Sequence, residues 1–260
     1  MNVSFDIVPL SKIKKHHPLA IIKGNDDNKS LFDKFLITKE DKTGKNNISI
    51  PSDMLFIPLP DFKKRDVYYI VGASGCGKSY MALRIAQQYR RAFPTRPIYL
   101  ISKLEKDDTL DQLEGMSRLD FSNWHVQTPP IDAFKDSLVI FDDFDAVEKK
   151  TLKGIITVSD DIAITGRHTN TSMIYISHYL SNYSQTRLIL NEATKYIIYP
   201  HATAYHPLYY LLNKYVGMDK TQIKHLKRLQ SRWCLIHKNF PNYVISERNA
   251  YLLNSNGWDE

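Results

Sequence analysis

Cysteine is scarce in this chain, and several other features are absent. The 260 residues include two cysteines, Cys76 and Cys234. A disulfide framework is therefore not expected, and a reducing compartment fits this composition. No apolar run approaches the about 18 residues that a transmembrane helix requires, so we predict no membrane span. The N-terminus has no apolar segment followed by small residues, and secretion is not expected.

The sequence also lacks internal repeats and low-complexity segments, whereas apolar residues are plentiful. Hydrophobic residues make up 43% of the chain and aromatic residues 12%. These fractions are ordinary for a packed globular protein. At this length we expect one dominant α/β core with appendages.

Positive charge is unevenly distributed along the chain, which has a net charge of +7. Residues 1–66 carry 12 basic against 9 acidic side chains, residues 67–200 carry 15 of each, and residues 201–260 carry 8 against 4. The basic flanks suit contact with a polyanion such as DNA. A solvated Lys-rich surface explains them equally well.

The rhythm of apolar and polar segments changes near residue 67. Before it, the runs VSFDIVPL, PLAIIKG and KFLITKE predict a few strands on loops. After it, continuous apolar strands alternate with helical segments, which is typical of a parallel sheet covered on both faces. We also expect a polar helix over residues 106–117. Near the C-terminus, DKTQIKHLKRLQSRW predicts an amphipathic helix, and RWCLIHKNFPNYVISER predicts two strands around a turn.

A complete phosphate-loop motif lies between the first of these later strands and the helix after it. The sequence GASGCGKS matches G-x-x-x-x-G-K-[ST]. Its glycines let backbone N–H groups point at a β-phosphate, and the helix that begins near Lys78 adds its positive dipole end. We expect Lys78 to bind the β- and γ-phosphates of ATP and the Ser79 hydroxyl to bind Mg²⁺. The predicted nucleotide-binding residues are Gly72, Ala73, Ser74, Gly75, Cys76, Gly77, Lys78, Ser79 and Tyr80.

Two further strands end in side chains that suit phosphate chemistry. The strand in SLVIFDD ends in Asp142, which is expected to hold the Mg²⁺ hydration shell, and Asp143, which is expected to orient or deprotonate the attacking water. The strand in GRHTNTSMIYISH follows Arg167 and leads to His178. If this strand lies between the other two, His178 emerges beside the γ-phosphate, where it could sense hydrolysis. Arg167 could stabilise transition-state charge in this subunit or in a neighbouring one.

The order of these segments resembles a known family. The blocks GASGCGKSY, LVIFDD, GRHTNTSMIYISH and TRLILNEATKYIIYP resemble the DNA-packaging ATPases of large nucleocytoplasmic DNA viruses, the poxvirus-type branch of the FtsK–HerA superfamily. Together they span residues 72–200, and LKRLQSRWCLIHKNFP is similar to the closing segment of that family. Two positions depart from the pattern, because FtsK-like relatives usually carry Glu in place of Asp143 and Gln in place of His178.

The resemblance implies a fold and a function. The expected fold is α/β: a RecA-like P-loop ATPase core with a mostly parallel sheet over residues 67–200, an N-terminal β-rich extension over residues 1–66, and a C-terminal basic helix plus hairpin over residues 201–260. The implied function is ATP-driven packaging of double-stranded viral DNA by a homo-oligomeric ring, expected to be a hexamer. Arg167 would then reach into the ATP site of the next subunit, with Arg187 as the alternative finger. A capsid or portal component is the implied partner, and the virion and the virus factory in the host cytoplasm are the implied locations.

The lysines that follow the acidic strand are candidate DNA contacts. Lys149, Lys150 and Lys153 would grip phosphates in the pore of the ring. A solvated helix face explains them equally well. Two other functions stay open: a small P-loop kinase acting on a nucleoside or nucleotide, and a catalytically weak, ATP-gated DNA-binding scaffold. The spacing of Arg167 and His178 argues against the kinase.

Overall fold

The strands and helices of the chain are divided between two compact units, Lys63–Lys195 and Met1–Phe62 together with Tyr196–Glu260. The computed structural model describes residues 3–24, 34–40, 44–144, 147–180 and 183–253. The strands are β1 (Ser4–Pro9), β2 (Pro18–Gly24), β3 (Lys34–Lys39), β4 (Asn47–Ser49), β5 (Met54–Pro58), β6 (Val67–Val71), β7 (Ile98–Ser102), β8 (Met116–Arg118), β9 (Leu138–Asp142), β10 (Ser172–Ser177), β11 (Lys195–Ile198), β12 (Cys234–His237), β13 (Tyr243–Ser246) and β14 (Asn249–Leu252). The α-helices are α1 (Lys78–Ala92), α2 (Lys149–Thr165), α3 (Tyr183–Glu192), α4 (Tyr205–Leu211) and α5 (Lys220–Arg228).

The unit Lys63–Lys195 is built on a parallel sheet. Its strand order is β6-β10-β9-β7-β8, and each adjacent pair runs parallel. Every residue of β6, β9 and β10 is buried. Because successive side chains of a strand point to opposite faces, this burial means that both faces of the sheet are covered. The predicted α/β fold with a mostly parallel central sheet is confirmed.

The register of the three central strands aligns their carboxyl ends. Ser177 at the end of β10 pairs with Val71 at the end of β6. On the other side, Tyr175 of β10 pairs with Phe141, one residue before the end of β9. The residues that follow β6, β9 and β10 therefore emerge at the same edge of the sheet. In open α/β sheets this edge is the usual place for ligands.

The helix predicted over residues 106–117 is absent, and this prediction was wrong. The segment contains only a short 3₁₀ turn, Leu110–Gln112, before β8 begins. The Asp107 carboxylate accepts hydrogen bonds from the backbone N–H groups of Thr109 and Leu110, which favours a turn. Gly115 then adopts a φ of 70°, outside the range of an α-helix.

The other unit is largely antiparallel β-structure. A four-stranded sheet has the order β1-β3-β2-β5, and its adjacent pairs are antiparallel. This sheet confirms the predicted β-rich N-terminal extension. One apolar cluster in this unit contains Val8, Ile21, Phe35, Ile37, Ile57 and Leu59.

The C-terminal segment forms the predicted helix and hairpin. Helix α5 begins with a capping box, in which Asp219 and Gln222 bond each other's backbone N–H groups. Its apolar side chains Ile223 and Leu226 are buried, as the helical spacing predicts. Strands β12 and β13 form the hairpin, and β14 and β4, which were not predicted, extend it in the order β4-β14-β13-β12.

None of the helices in the described ranges is long and apolar enough to cross a membrane. The division of the chain at residues 66 and 200 stays a prediction about its organisation.

Candidate active site

The phosphate-loop residues connect the end of β6 to the start of α1. Gly75 and Gly77 adopt φ angles of 75° and 102°. These values lie in the left-handed region, which glycine enters without the steric cost that a Cβ imposes. Gly77 is the N-cap of α1, so the helix begins at Lys78 as predicted. Ala73, Ser74 and Gly75 are exposed, and the loop is open to solvent.

Lys78 is folded back into this loop. Its side chain is buried, with 6% of the residue exposed. The Nζ atom donates hydrogen bonds to the backbone carbonyls of Gly72, at 3.0 Å, and Ala73, at 3.1 Å. A buried ammonium needs such acceptors, because its charge is costly to remove from water. When a nucleotide is bound, the same ammonium can donate to phosphate oxygens instead of to these carbonyls.

Ser79 and Asp142 bring two oxygen ligands together. The Ser79 Oγ atom donates to Asp142 Oδ2 at 3.1 Å. Asp142 is buried, and burial together with the charge of Asp143 raises the pKa of Asp142 to about 6, while the Ser79 hydrogen bond opposes this rise. A hydroxyl and a carboxylate of this kind fit Mg²⁺, which takes few protein ligands and otherwise binds water and phosphates. Bound there, Mg²⁺ would neutralise charge on the phosphates. The described residues contain no group of three or more His, Cys, Asp or Glu side chains that could hold a metal by themselves.

Asp143 and His178 meet at the same edge of the sheet. His178 Nε2 lies 3.0 Å from Asp143 Oδ1, and His178 Nδ1 lies 3.4 Å from Lys78 Nζ. The strand order explains this meeting, because β10 lies between β6 and β9 as the position of His178 required. Five of the predicted site residues therefore come together here: Lys78, Ser79, Asp142, Asp143 and His178.

Arg167, the predicted arginine finger, does not join this cluster. Arg167 precedes the first residue of β10, whereas His178 follows its last residue, and six strand residues span roughly 20 Å. The Arg167 side chain is exposed, and its Nε atom lies 3.2 Å from His168 Nε2. Arg187, the alternative finger, lies on α3 and is exposed. Arg167 therefore lies at the opposite edge of the sheet from the phosphate loop of its own chain.

The three candidate DNA-binding lysines lie in the first turns of α2. Lys149, Lys150 and Lys153 are all exposed. The first turn contains no acidic residue, so these positive charges lie beside the positive end of the helix dipole. Asp145 and Ala146, in the connection from Asp143 to this helix, lie outside the described residues.

Tyr69, which supports the site, and Arg65, which anchors α2, were not predicted from the sequence. The Tyr69 hydroxyl on β6 donates to the backbone carbonyl of Tyr179 at 2.7 Å, next to His178. A buried tyrosine needs a hydrogen-bond partner, and this requirement was the available signal. The Arg65 guanidinium donates to the carbonyls of Ile162 and Ala163, near the C-terminal end of α2. Nothing in the sequence around Arg65 indicates this role.

Tyr80, predicted to contact the nucleotide, lies on the surface of the first turn of α1. It is 51% exposed, and the Arg84 guanidinium lies over its ring at 5.0 Å from the centroid. An arginine over an aromatic face is a stabilising cation–π contact.

The chain is related to a curated viral protein. It is 34% identical over 243 residues to the uncharacterized protein V3 of the Sputnik virophage. The match covers 92% of this chain and 97% of that protein. No protein-family model matches the chain.

The chain is also similar to solved structures of ATPases. The cytoplasmic domain of the type VII secretion ATPase EccC of Thermomonospora curvata matches with a TM-score of 0.51 at 11% identity, over 78% of this chain and 28% of that chain. The genome-packaging NTPase B204 of Sulfolobus turreted icosahedral virus 2, in complex with ATP-γS, matches with a TM-score of 0.47 at 15% identity, over 73% of this chain and 98% of that chain. The EccC likeness shows that this chain has a P-loop ATPase-type fold.

Proposed function

We propose ATP hydrolysis coupled to the movement of double-stranded DNA as the function of this chain, which belongs to the same family as protein V3 of the Sputnik virophage. The observation that carries the proposal is the meeting of the phosphate loop with the acidic end of β9. Ser79 Oγ lies 3.1 Å from Asp142 Oδ2, and Lys78 lies in the loop beside them. Phosphate-binding and metal-binding groups in contact are what hydrolysis of a nucleoside triphosphate requires.

In the proposed reaction, water attacks the γ-phosphate of ATP, the bond from the γ-phosphorus to the β–γ bridging oxygen breaks, and ADP and phosphate leave. Lys78 binds the β- and γ-phosphates, and the backbone N–H groups of the loop from Gly72 to Ser79 bind phosphate oxygens. Ser79 and Asp142 hold Mg²⁺. Asp143, which follows Asp142 at the end of β9, orients the water.

We assign the role of Arg167 to a neighbouring subunit. The position of Arg167 at the far end of β10 supports action on a second chain rather than on its own phosphate loop. The proposal therefore includes a homo-oligomeric ring, with a hexamer as the expected size. Arg187 on α3 is the alternative residue for this role.

The DNA part of the proposal is supported by the order of the sequence blocks and by the charge of α2. The lysines of α2 lie only a few residues after Asp143: Lys149, Lys150 and Lys153. A change at the hydrolysis site therefore has a short path to them along the chain. The three lysines outnumber the acidic N-cap residue Glu148, so this end of the helix carries net positive charge that a bound phosphate would neutralise. A capsid or portal component as partner, and the virion and the virus factory as locations, belong to the same proposal.

The test is ATP hydrolysis by the purified protein with and without long double-stranded DNA, with Lys78→Ala as the blank. We expect stimulation by DNA that vanishes in this variant. Hydrolysis indifferent to DNA would contradict the DNA part of the proposal, and phosphate transfer only to an added nucleoside would favour the kinase. If the wild-type rate of ATP hydrolysis is negligible and Asp143→Ala does not change it, the scaffold function would be favoured over the motor.

The same assay tests the α2 lysines. The triple variant Lys149→Ala, Lys150→Ala, Lys153→Ala is compared with Lys214→Ala, Lys220→Ala, Lys224→Ala, which removes the same charge from other exposed positions. We expect only the first variant to lower DNA stimulation. It should also flatten the dependence of log affinity on log salt concentration by about 0.9 for each lost phosphate contact. An equal loss in both variants would remove the α2 lysines from the proposal.

A further inference from the structure

His178 connects two groups of the candidate active site. Its Nε2 atom lies 3.0 Å from Asp143 Oδ1, and its Nδ1 atom lies 3.4 Å from Lys78 Nζ. A lysine ammonium can only donate hydrogen bonds, and an ionised carboxylate can only accept them. Both contacts are satisfied together when the imidazole proton is on Nε2: Nδ1 accepts from Lys78, and Nε2–H donates to Asp143.

The two contacts of His178 use different ring nitrogens, so one of them can be lost while the other remains. When ATP binds, the Lys78 ammonium is expected to move toward the phosphates and to leave Nδ1. The Nε2–H bond to Asp143 does not involve Lys78 and can persist through this change.

The backbone that carries His178 is held by its neighbours. The Ser177 hydroxyl donates to the Tyr179 carbonyl at 2.9 Å and accepts from the Tyr179 N–H at 3.1 Å. The Tyr69 hydroxyl donates to the same carbonyl at 2.7 Å. Tyr69 is fully buried, and its ring stacks on Tyr175 at a centroid distance of 5.9 Å. The residues on both sides of His178 are therefore anchored to β6 and β10.

The backbone at Asp143 is also constrained. Its φ of 47° lies in the left-handed region, which residues with a side chain enter rarely, although Asp enters it more often than most. The next residue, Phe144, is 1% exposed, and its ring contacts the rings of Phe141 and Tyr175 at centroid distances of 6.2 and 5.2 Å. This aromatic packing holds the turn and directs the Asp143 side chain toward His178.

We infer that His178 is a positioning residue for Asp143, holding its carboxylate beside the phosphate loop through the Nε2–H bond, while Tyr69 and Ser177 hold His178. The inference rests on the proposed function, in which Asp143 orients the attacking water. It assigns to His178 a role in the hydrolysis step through Asp143, distinct from a role in nucleotide binding through Lys78.

Two substitutions separate these roles. The Gln Nε2 atom is as many bonds from Cα as the His Nε2 atom, so His178→Gln keeps a donor for Asp143. The Asn side-chain amide matches the position of Nδ1, so His178→Asn keeps an acceptor for Lys78 and does not reach Asp143. We expect His178→Gln to retain kcat within about threefold and His178→Asn to lower kcat on the order of 100-fold at little change in KM.

His178 and Asp143 should also behave as a unit in hydrolysis. The double variant of His178→Asn with Asp143→Ala should be no slower than Asp143→Ala alone. In Asp143→Ala the hydrogen bond between His178 and Asp143 is already lost, so His178→Asn removes nothing further. Circular dichroism and urea unfolding of each variant control for loss of folding. Equal losses of kcat in the Gln and Asn variants, or a rise of KM in His178→Gln alone, would overturn the inference.

A measurement without ATP tests the pairing separately. Imidazole ¹⁵N NMR of the nucleotide-free protein, with the His178 signals assigned from His178→Gln, should show the proton on Nε2. Asp143→Ala should weaken this preference, and a proton on Nδ1 in the wild-type chain would contradict the pairing. A wild-type protein with the expected tautomer but without ATP hydrolysis would overturn the proposed function alone. Hydrolysis with equal Gln and Asn variants would overturn the inference alone.

Discussion

At the scale of single residues, ionised Asp142 carries an electrostatic free-energy cost in the folded protein. Its carboxylate is buried beside Asp143, and these surroundings raise its pKa to about 6. The folded nucleotide-free protein therefore holds the Asp142 proton more tightly than the unfolded chain does. Between the ordinary pKa of 3.8 and about 6, the free energy of unfolding falls as the pH rises, because the folded state binds more protons. Above this range the full penalty is present.

We therefore predict that Asp142→Asn stabilises the nucleotide-free protein without added Mg²⁺. One pKa unit corresponds to about 1.4 kcal/mol, so the gain should be on the order of 2–3 kcal/mol near pH 7.5 and about half of that near pH 5. Urea unfolding at the two pH values measures this difference. Asp132→Asn, at an exposed position, is the control. A gain of the same size at both pH values would show that the effect is not the titration of Asp142.

At the scale of elements, helix α2 is positioned by a close backbone contact. A Cβ atom at Gly154 would lie 2.4 Å from the Trp124 carbonyl oxygen and 2.7 Å from its carbonyl carbon. Distances this short cannot be accepted without moving the backbone. The helix therefore uses glycine in its interior, although glycine is a poor helix former.

The expected effect of Gly154→Ala is destabilisation. The intrinsic preference for Ala over Gly in a helix favours the variant by about 1 kcal/mol. Overpacking against the Trp124 backbone should outweigh this preference and lower the free energy of unfolding by about 1–3 kcal/mol. Thermal unfolding monitored by circular dichroism measures the change, with Thr157→Ala at an exposed position of α2 as the control. A higher unfolding temperature for Gly154→Ala would mean that α2 shifts without cost.

At the scale of the whole molecule, one buried ion pair joins the two ends of the unit Lys63–Lys195. Lys195 Nζ lies 2.8 Å from Asp66 Oδ2, and both side chains are about 5% exposed. The Tyr68 hydroxyl donates to the same carboxylate oxygen at 3.1 Å. Nearby, the Thr194 N–H donates to the Val67 carbonyl at 3.0 Å. The segment that enters the parallel sheet and the segment that leaves it are therefore fastened together.

Removing one partner of this ion pair should be far more harmful than removing both. Lys195→Met keeps the length of the side chain but leaves the Asp66 charge buried, and we expect a loss of about 3–5 kcal/mol in the free energy of unfolding. The double variant with Asp66→Asn should recover most of this loss, because no uncompensated charge remains. Urea unfolding of the single and double variants measures the coupling. Additive losses would show that the two charges act independently.

The helix expected over residues 106–117 does not form, and the reasons lie partly outside the local sequence pattern. Its Leu, Gln and Glu residues favour a helix, but the Asp107 carboxylate bonds the backbone N–H groups of Thr109 and Leu110 and forms a turn. Strand β8 then forms because Met116–Arg118 pairs with β7, a partner that local patterns do not reveal. Likewise, β4 and β14 pair across about 200 residues of sequence. A three-residue strand has too little periodicity to be recognised alone.

The sequence by itself determined the phosphate loop, the apolar strands around it and the acidic end of β9. These features depend on neighbouring residues: glycines that permit positive φ, a lysine and a serine at the start of a helix, and a continuous apolar run. Only the tertiary structure decided that β10 lies between β6 and β9, that His178 contacts both Asp143 and Lys78, and that Arg167 lies at the opposite edge of the sheet. Strand order and register depend on pairing between segments that lie 34 residues apart for β9 and β10 and 106 residues apart for β6 and β10. The free energy of that pairing comes from burial on both faces of the sheet, which no single segment contains.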